Sequence, residues 1–292
     1  MADTTATAFG IKFKNDFILR VQQKKSRLMA TVRDNPDFLE GKYGYFDRIG
    51  PETNDNLKTV RHGDTPIGDA NYDRRRLLRD TRNQGKMVDR SDIARMMKDP
   101  TSPVLESMRM LFNRRLDDYI LNAATGNSYS IDQNDAATPV ALPSGQIIAT
   151  SSSGLTLAKS LQSMEILDAN EVDDDEERTM VANAHQITKM LNTTQTTNQF
   201  YLQIQQLRDG KIDFFNKAKW VRSERLLVNS SDSSKQCLHY AKRGLGAAPT
   251  TDPFVRVSER SDKQYNWQIY LEYELGATRV EDECVVQINC AA

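Results

Sequence analysis

The stretch "QYNWQIYLEYELGATRVEDECVVQINC", residues 264–290 of a 292-residue chain, restricts the fold more than any other. Tyr265, Trp267, Ile269, Leu271, Tyr273 and Leu275 alternate with Asn266, Gln268, Tyr270, Glu272 and Glu274. After Gly276-Ala277, the residues Val280, Cys284, Val286 and Ile288 alternate again, interrupted by Asp282. Side chains on a strand point to opposite faces in turn, so this pattern predicts a long antiparallel β-hairpin with one apolar face. A slip of one residue would expose every aromatic, which makes the register strongly specified.

A face of that kind needs a cover. Ser102 can cap a helix, Pro103 suits its first turn, and Leu105, Met108, Phe112, Leu116, Tyr119, Ile120 and Ala123 recur at helical spacing before Gly126. The spacing predicts a rod of about 22 residues, roughly 33 Å long. Arg109, Asn113, Arg114 and Asp117 are expected on its solvated side. Helix and hairpin each carry a stripe to bury, so each is the natural partner of the other.

The remaining segments are shorter. Residues 1–40 read as an arm with a short helix near residues 15–29, and 42–86 as β-prone patches between turn signals, with no core of their own. A segment of that length is expected to pack on a neighbouring subunit. Residues 127–153 suggest a hairpin or loop, followed by a helix from Leu155 with Leu157, Leu161 and Met164 on one face. The acidic "EVDDDEER" lacks the glycine and alternate spacing of a calcium loop and reads as a solvated boundary. Beyond it, "RTMVAN" predicts a buried strand, "HQITKMLNT" and "NQFYLQIQQLRDG" two helices, and "FFNKAKWVRSERLLV" a strand, together a compact α/β subdomain.

Catalytic and metal-binding patterns are absent. The three histidines, His62, His185 and His239, have no spacing that places two on one helical face, and no nucleotide-binding loop or nucleophile elbow occurs. Cys237, Cys284 and Cys290 are an odd number without paired spacing, which argues against a disulfide framework and for a reducing compartment. No long apolar run and no signal-like N-terminus occur, so a soluble, unexported chain is expected. The formal net charge of −1 disfavours a dedicated duplex-binding protein, although the first hundred residues are net basic.

The segment "RHGDTPIGDANYDRRRLLRDTR" admits two readings. As a hydrolytic corner, His62 and Asp64 would need a pocket, and the flanks supply few apolar residues to build one. As an interface, Gly63, Asp64 and Pro66 shape a turn, and Arg61, Arg74, Arg75, Arg76 and Arg79 offer guanidinium forks to carboxylates of another copy. The second reading is favoured, with Arg61, His62, Asp64, Arg74, Arg75, Arg76 and Arg79 as candidate intersubunit contacts and no cofactor or metal.

"YFDRIGP", "RHGDTP", "RRR", "MMKDPTSPVLESM" leading into a helix that ends "AATG", and "FVRVSERSDKQYNWQIYLEYELGATRVEDECVVQI" occur in that order. This ordered set resembles the major capsid proteins of tailed bacteriophages with the Hong Kong 97-type fold. The resemblance implies an α+β chain with an N-terminal arm (1–40) and an extended β-hairpin loop (41–88). A peripheral domain with a spine helix (89–178), an axial domain (179–250) and C-terminal peripheral strands (251–292) would follow. It also implies pentamers and hexamers forming an icosahedral shell in the virion, assembled in the bacterial cytoplasm. Expected partners are a separate scaffolding protein, a portal, a cement protein, and packaged double-stranded DNA held only by weak contact. An encapsulin-like compartment is the related alternative.

Overall fold

The computed structural model describes residues 21–34, 43–52, 57, 59, 61, 63–64, 67–89, 101–132, 136–191, 214–250 and 253–291. In chain order the elements are β1 (Arg33–Asp34), β2 (Tyr43–Ile49), β3 (Tyr72–Leu78), β4 (Asp80–Val88), α1 (Thr101–Thr125), β5 (Ser128–Ile131) and β6 (Ala137–Val140). There follow β7 (Ile147–Ile148), α2 (Leu157–Ala169), β8 (Arg178–Ala182), α3 (Ala184–Leu191), β9 (Phe214–Phe215), β10 (Ala218–Arg222) and β11 (Lys235–Ala241). The last are β12 (Leu245–Ala247), β13 (Phe254–Arg260), β14 (Asn266–Leu275), β15 (Ala277–Arg279) and β16 (Val285–Cys290). Two compact units form, one drawn from residues 1–25, 82–113 and 252–273, the other from 26–81, 114–251 and 274–292.

The first unit holds the N-terminal half of α1 and a sheet ordered β13-β14-β4. β14 alternates between buried Ile269, Leu271 and Tyr273 and half-buried polar neighbours, as its period requires. Phe112 of α1 meets Tyr273 edge to face, with ring centroids 4.9 Å apart, so helix and strand do cover one another. β13, at the sheet edge, leaves Phe254, Val255 and Val257 exposed. Gln264 and Tyr265 adopt left-handed backbone (φ 54° and 56°), which places Tyr265 in the turn before β14 and not on the strand.

The second unit is built on a six-stranded mixed sheet, β7-β16-β11-β8-β10-β9. β8 and β16 are buried at every position, because elements cover both faces of the sheet. A four-stranded sheet, β2-β3-β5-β6, and a small one, β1-β12-β15, complete the unit. "RTMVAN" is the expected buried strand, residues 128–140 form the expected hairpin, and α3 starts behind Asn183, whose Oδ1 accepts from the Gln186 amide at 2.9 Å. Between β9 and β10, Asn216 and Lys217 (φ 57° and 59°) make a tight turn, so the single strand expected there is a hairpin.

The C-terminal hairpin does not form. β14 pairs with β13, β15 with β12, and β16 with β11 and β7, so the alternating run is distributed over three sheets. Period two identifies strands and says nothing about partners. Gly276 serves close approach and not a turn: a Cβ there would lie 2.5 Å from Leu77 Cδ2 and 2.8 Å from the Leu78 carbonyl oxygen.

Four further expectations fail among the described residues. The β2–β3 ribbon has a core contact of its own, since Phe46 and Leu77 are buried with Ala248 and Val280. Burying such side chains contributes roughly 1.5–3 kcal/mol each, and Gly246 makes room for the Phe46 ring, which a Cβ would strike at 2.2 Å. On α2 the inward face is Lys159, Ser160, Ser163 and Leu167, while Leu161 is exposed. Lys159 Nζ donates to the carbonyls of Thr150, Ser153 and Asn289, so a buried ammonium is satisfied where an apolar stripe was anticipated. Asp117, expected in solvent, is fully buried. Residues 21–28 carry no helix, and only a short 3-10 turn, Met29–Thr31, follows them. Ser102 falls within α1 and not ahead of it, and the helix expected over 198–210 lies outside the described residues.

Candidate assembly site

The alternation of a strand decides where each arginine of "YDRRRLL" goes. On β3, Arg75 shares the inward face with Leu77 and lies opposite Phe46 on β2, whereas Arg74 and Arg76 take the outward face. Arg75 is 4% exposed and donates from Nη2 to Asp282 Oδ2 at 2.7 Å and from Nη1 to Ser128 Oγ at 3.0 Å. This corrects the expectation that it meets a neighbouring copy, because its charge is compensated within its own chain.

Asp282 is shared. Arg279, with no exposed surface, donates from Nε to Asp282 Oδ1 and from Nη1 to the Gly126 carbonyl at 2.6 Å. Its Nη2 donates to the Val140 carbonyl at 2.9 Å. One guanidinium therefore donates to carbonyls just past the end of α1 and on β6, tying the helix end to the four-stranded sheet. Arg48 on β2 adds a third cation, donating to the Val280 carbonyl at 2.7 Å and pairing with Asp73. Burial, with Arg75 close by, pulls its guanidinium below the usual arginine value. Arg79 pairs with Glu274 and keeps little exposed surface, so it too is engaged within the chain. Together these contacts bolt the root of the ribbon to the body.

The outward face is different. Arg74 pairs with Asp47 at 2.6 Å and lies over the Tyr45 ring, and Arg76 lies between the rings of Tyr43 and Tyr129. A groove of about 840 Å³ opens beside Arg74, lined by Asp47, Arg48, Tyr72, Arg74 and Asp132 among others. Farther along the ribbon, Arg61 and Asp64 are exposed, as are Leu57 (87%) and Ile67 (94%), while His62 lies outside the described residues. Neither Arg61 nor Asp64 lines that groove.

A second anchor holds the segment after residue 25. Asp117 accepts from Ser26 Oγ at 2.6 Å and from the amides of Arg27 and Leu28 at 3.2 and 3.3 Å. Thr31 Oγ1 donates its one proton to the Leu28 carbonyl, so it accepts from the buried Tyr240 hydroxyl at 2.7 Å. Burial raises the Tyr240 phenol above its ordinary range. Asp117 looked like one more charge in a polar stripe; its contacts reach 90 residues back along the chain.

Groups that could do chemistry are sealed or scattered. His239 is fully buried; Ser163 donates to the Ser160 carbonyl, so His239 Nδ1–H donates to Ser163 Oγ at 2.9 Å, and Nε2 has no partner among the described residues. Burial, reinforced by the charge of Arg178, lowers its pKa to about 3. The three thiols are buried, and burial together with Glu281 pushes Cys284 up to about 12. Among the described residues no group of three or more metal-ligating side chains converges, and no helix is long and apolar enough to cross a membrane.

Buried ionic networks that fasten one strand to another, beside a ribbon with an exposed apolar end, define a structural subunit. The chain belongs to the phage capsid protein family, which matches residues 5–292. It is a major capsid protein, a component of the virion shell. Among solved structures it is similar to the capsid of cyanophage P-SCSP1u (15% identity, TM-score 0.75, covering 98% of this chain and 94% of that one). It is also similar to a structure from Mycobacterium phage Che8 (14%, 0.67, covering 96% and 97%) and to the capsid asymmetric unit of cyanophage Pam1 (12%, 0.70, covering 99% of each). No curated protein matches it in sequence.

Proposed function

We propose that this subunit has the Hong Kong 97-type fold and closes, as pentamers and hexamers, into an icosahedral shell around double-stranded DNA. In that layout residues 41–88 are the extended loop, α1 is the spine, and residues 179–250 lie toward the capsomer centre. The observation that carries this reading is the contrast along one ribbon. Its root is buried on Phe46, Leu77 and Arg75, yet beyond the root Leu57, Ile67 and Tyr72 (75% exposed) are left uncovered by the described residues. A neighbouring copy supplies the cover, and modest contacts repeated over many copies make the closed shell stable. Arg61, His62, Asp64 and Arg74 belong to that contact. A separate scaffolding protein guides closure in the bacterial cytoplasm, a portal occupies one vertex, a cement protein binds outside, and DNA touches the lining weakly.

Expression with and without the neighbouring genes, followed by negative-stain microscopy, tests this. Closed shells of uniform diameter are expected when the assembly partners are present. Chains that remain monomeric under every condition, or shells that fill with a cargo enzyme and not with DNA, would refute it.

A further inference from the structure

On the outer face of the four-stranded sheet, Arg76 carries a charge that no described carboxylate answers. Arg76 lies 4.6 Å from the Tyr43 ring centroid and 5.4 Å from that of Tyr129. Among the described residues no carboxylate pairs with it, and its Nε is buried without an acceptor. Its neighbour Arg74, by contrast, has Asp47 at 2.6 Å. A guanidinium partly stripped of water and held flat by two rings is pre-organised for a carboxylate, and burying it uncompensated is unfavourable.

The surroundings indicate a protein carboxylate. Ile49 (66% exposed) and Leu78 (49%) share the face, and tyrosine, arginine and aliphatic groups are what the centre of a protein–protein contact contains. Duplex binding needs several phosphate contacts, where this face offers two arginines among the described residues.

The chain also holds the complementary charge. In the loop after α2, Asp174 pairs with Lys217 and Glu177 with Lys242, but the exposed Glu171, Asp173 and Asp175 have no cationic partner among the described residues. Residues 1–100 contain 20 basic and 15 acidic side chains, the remainder 19 and 25. Arg76 of one copy meeting an acidic loop of the next is a head-to-tail contact, the kind that closes rings.

We propose that Arg76, clamped between Tyr43 and Tyr129, receives a carboxylate from the 171–177 loop of a second copy of this chain. The contact rests on the shell-subunit reading and names one of its interfaces. The test uses the full chain produced with its assembly partners, as wild type, Arg76→Glu, Asp173→Arg/Asp175→Arg, and the three changes together. Particle yield is read by sedimentation, and thermal unfolding of the soluble fraction checks folding. Arg76→Glu and the loop reversal are each expected to cut particle yield at least tenfold at unchanged unfolding temperature, and their combination to restore most of it. Arg76→Gln, a milder change, should reduce yield if Arg76→Glu fails to fold. Wild-type yield from Arg76→Glu, or from Arg76→Gln where Arg76→Glu does not fold, overturns the contact, as does absence of rescue by the combined variant. Normal yields of particles that lack DNA would assign the face to nucleic acid and overturn it equally. Each of these failures leaves wild-type particles intact; a wild type that never forms particles removes the shell reading itself.

Discussion

Replacing Asp282 by Asn tests whether the ribbon is bolted to the body by charge. The carboxylate is 6% exposed and compensates two guanidiniums, those of Arg75 and Arg279, which are themselves 4% and 0% exposed. Asparagine keeps the volume, yet it leaves two buried cations without an anion and offers one acceptor oxygen in place of two. Breaking a buried pair by neutralising one partner costs about 3–5 kcal/mol. The upper half of that range is expected here, because Arg279 cannot turn outward without abandoning the Gly126 and Val140 carbonyls. Urea unfolding of the unassembled chain should show the loss, and hydrogen exchange should show it concentrated on β3 and β15. Adding Arg75→Met should recover part of the stability by removing the cation left behind. Asp262→Asn, at an exposed pair with Arg260, should leave the transition in place. An Asp282→Asn protein that unfolds within about 1 kcal/mol of wild type, where surface substitutions fall, would refute the reasoning.

Other outcomes follow from single contacts. Asp117→Ala removes the acceptor of three donors and should cost about 2–4 kcal/mol, since a donor left unsatisfied costs about 1–3 and, of the three, the amide of the exposed Arg27 regains water; limited proteolysis should then cut near Ser26–Leu28. Gly276→Ala drives a methyl into Leu77 and the Leu78 carbonyl and should destabilise by about 1–3 kcal/mol in thermal unfolding. His239 has a folded pKa of about 3, below its unfolded value of about 6.5, so as pH falls the unfolded chain takes up the proton first. Its contribution is therefore whole above pH ~6.5 and declines toward pH 3, by up to ~1.4 kcal/mol per unit. His239→Gln should flatten that part of the stability profile, and parallel curves for variant and wild type from pH 7.5 to 4.5 would contradict the assignment.

Much of the architecture was legible as periodicity. The long helix α1 and the buried strand at Arg178–Ala182 follow from local sequence, because local sequence is what decides whether an element forms. Pairing was not legible. The strands β14, β15 and β16 are consecutive, and each goes to a different sheet through contacts that no local pattern records. Among the site residues, Arg75 was readable in principle: a strict period of two places it opposite Arg74 and Arg76, on the face of Leu77. Asp282 announced itself as the one charge interrupting an apolar alternation, yet its partners lie up to 207 residues away. Asp117 gave no such sign, since a buried aspartate that caps backbone amides reads the same as a solvated one until the distant chain is in place.

The exposed edge strand β13 has a consequence for how such a protein must be handled by its host. Its outer amide and carbonyl groups have no strand partner among the described residues, and, flanked by Phe254, Val255 and Val257, they are a template for any extended polypeptide that diffuses past. Newly made molecules are therefore safest when drawn down as fast as ribosomes release them. Overproduction beyond that rate is expected to end in amorphous precipitate, with the amount set by the ratio of translation to capture and not by the intrinsic stability of the folded monomer.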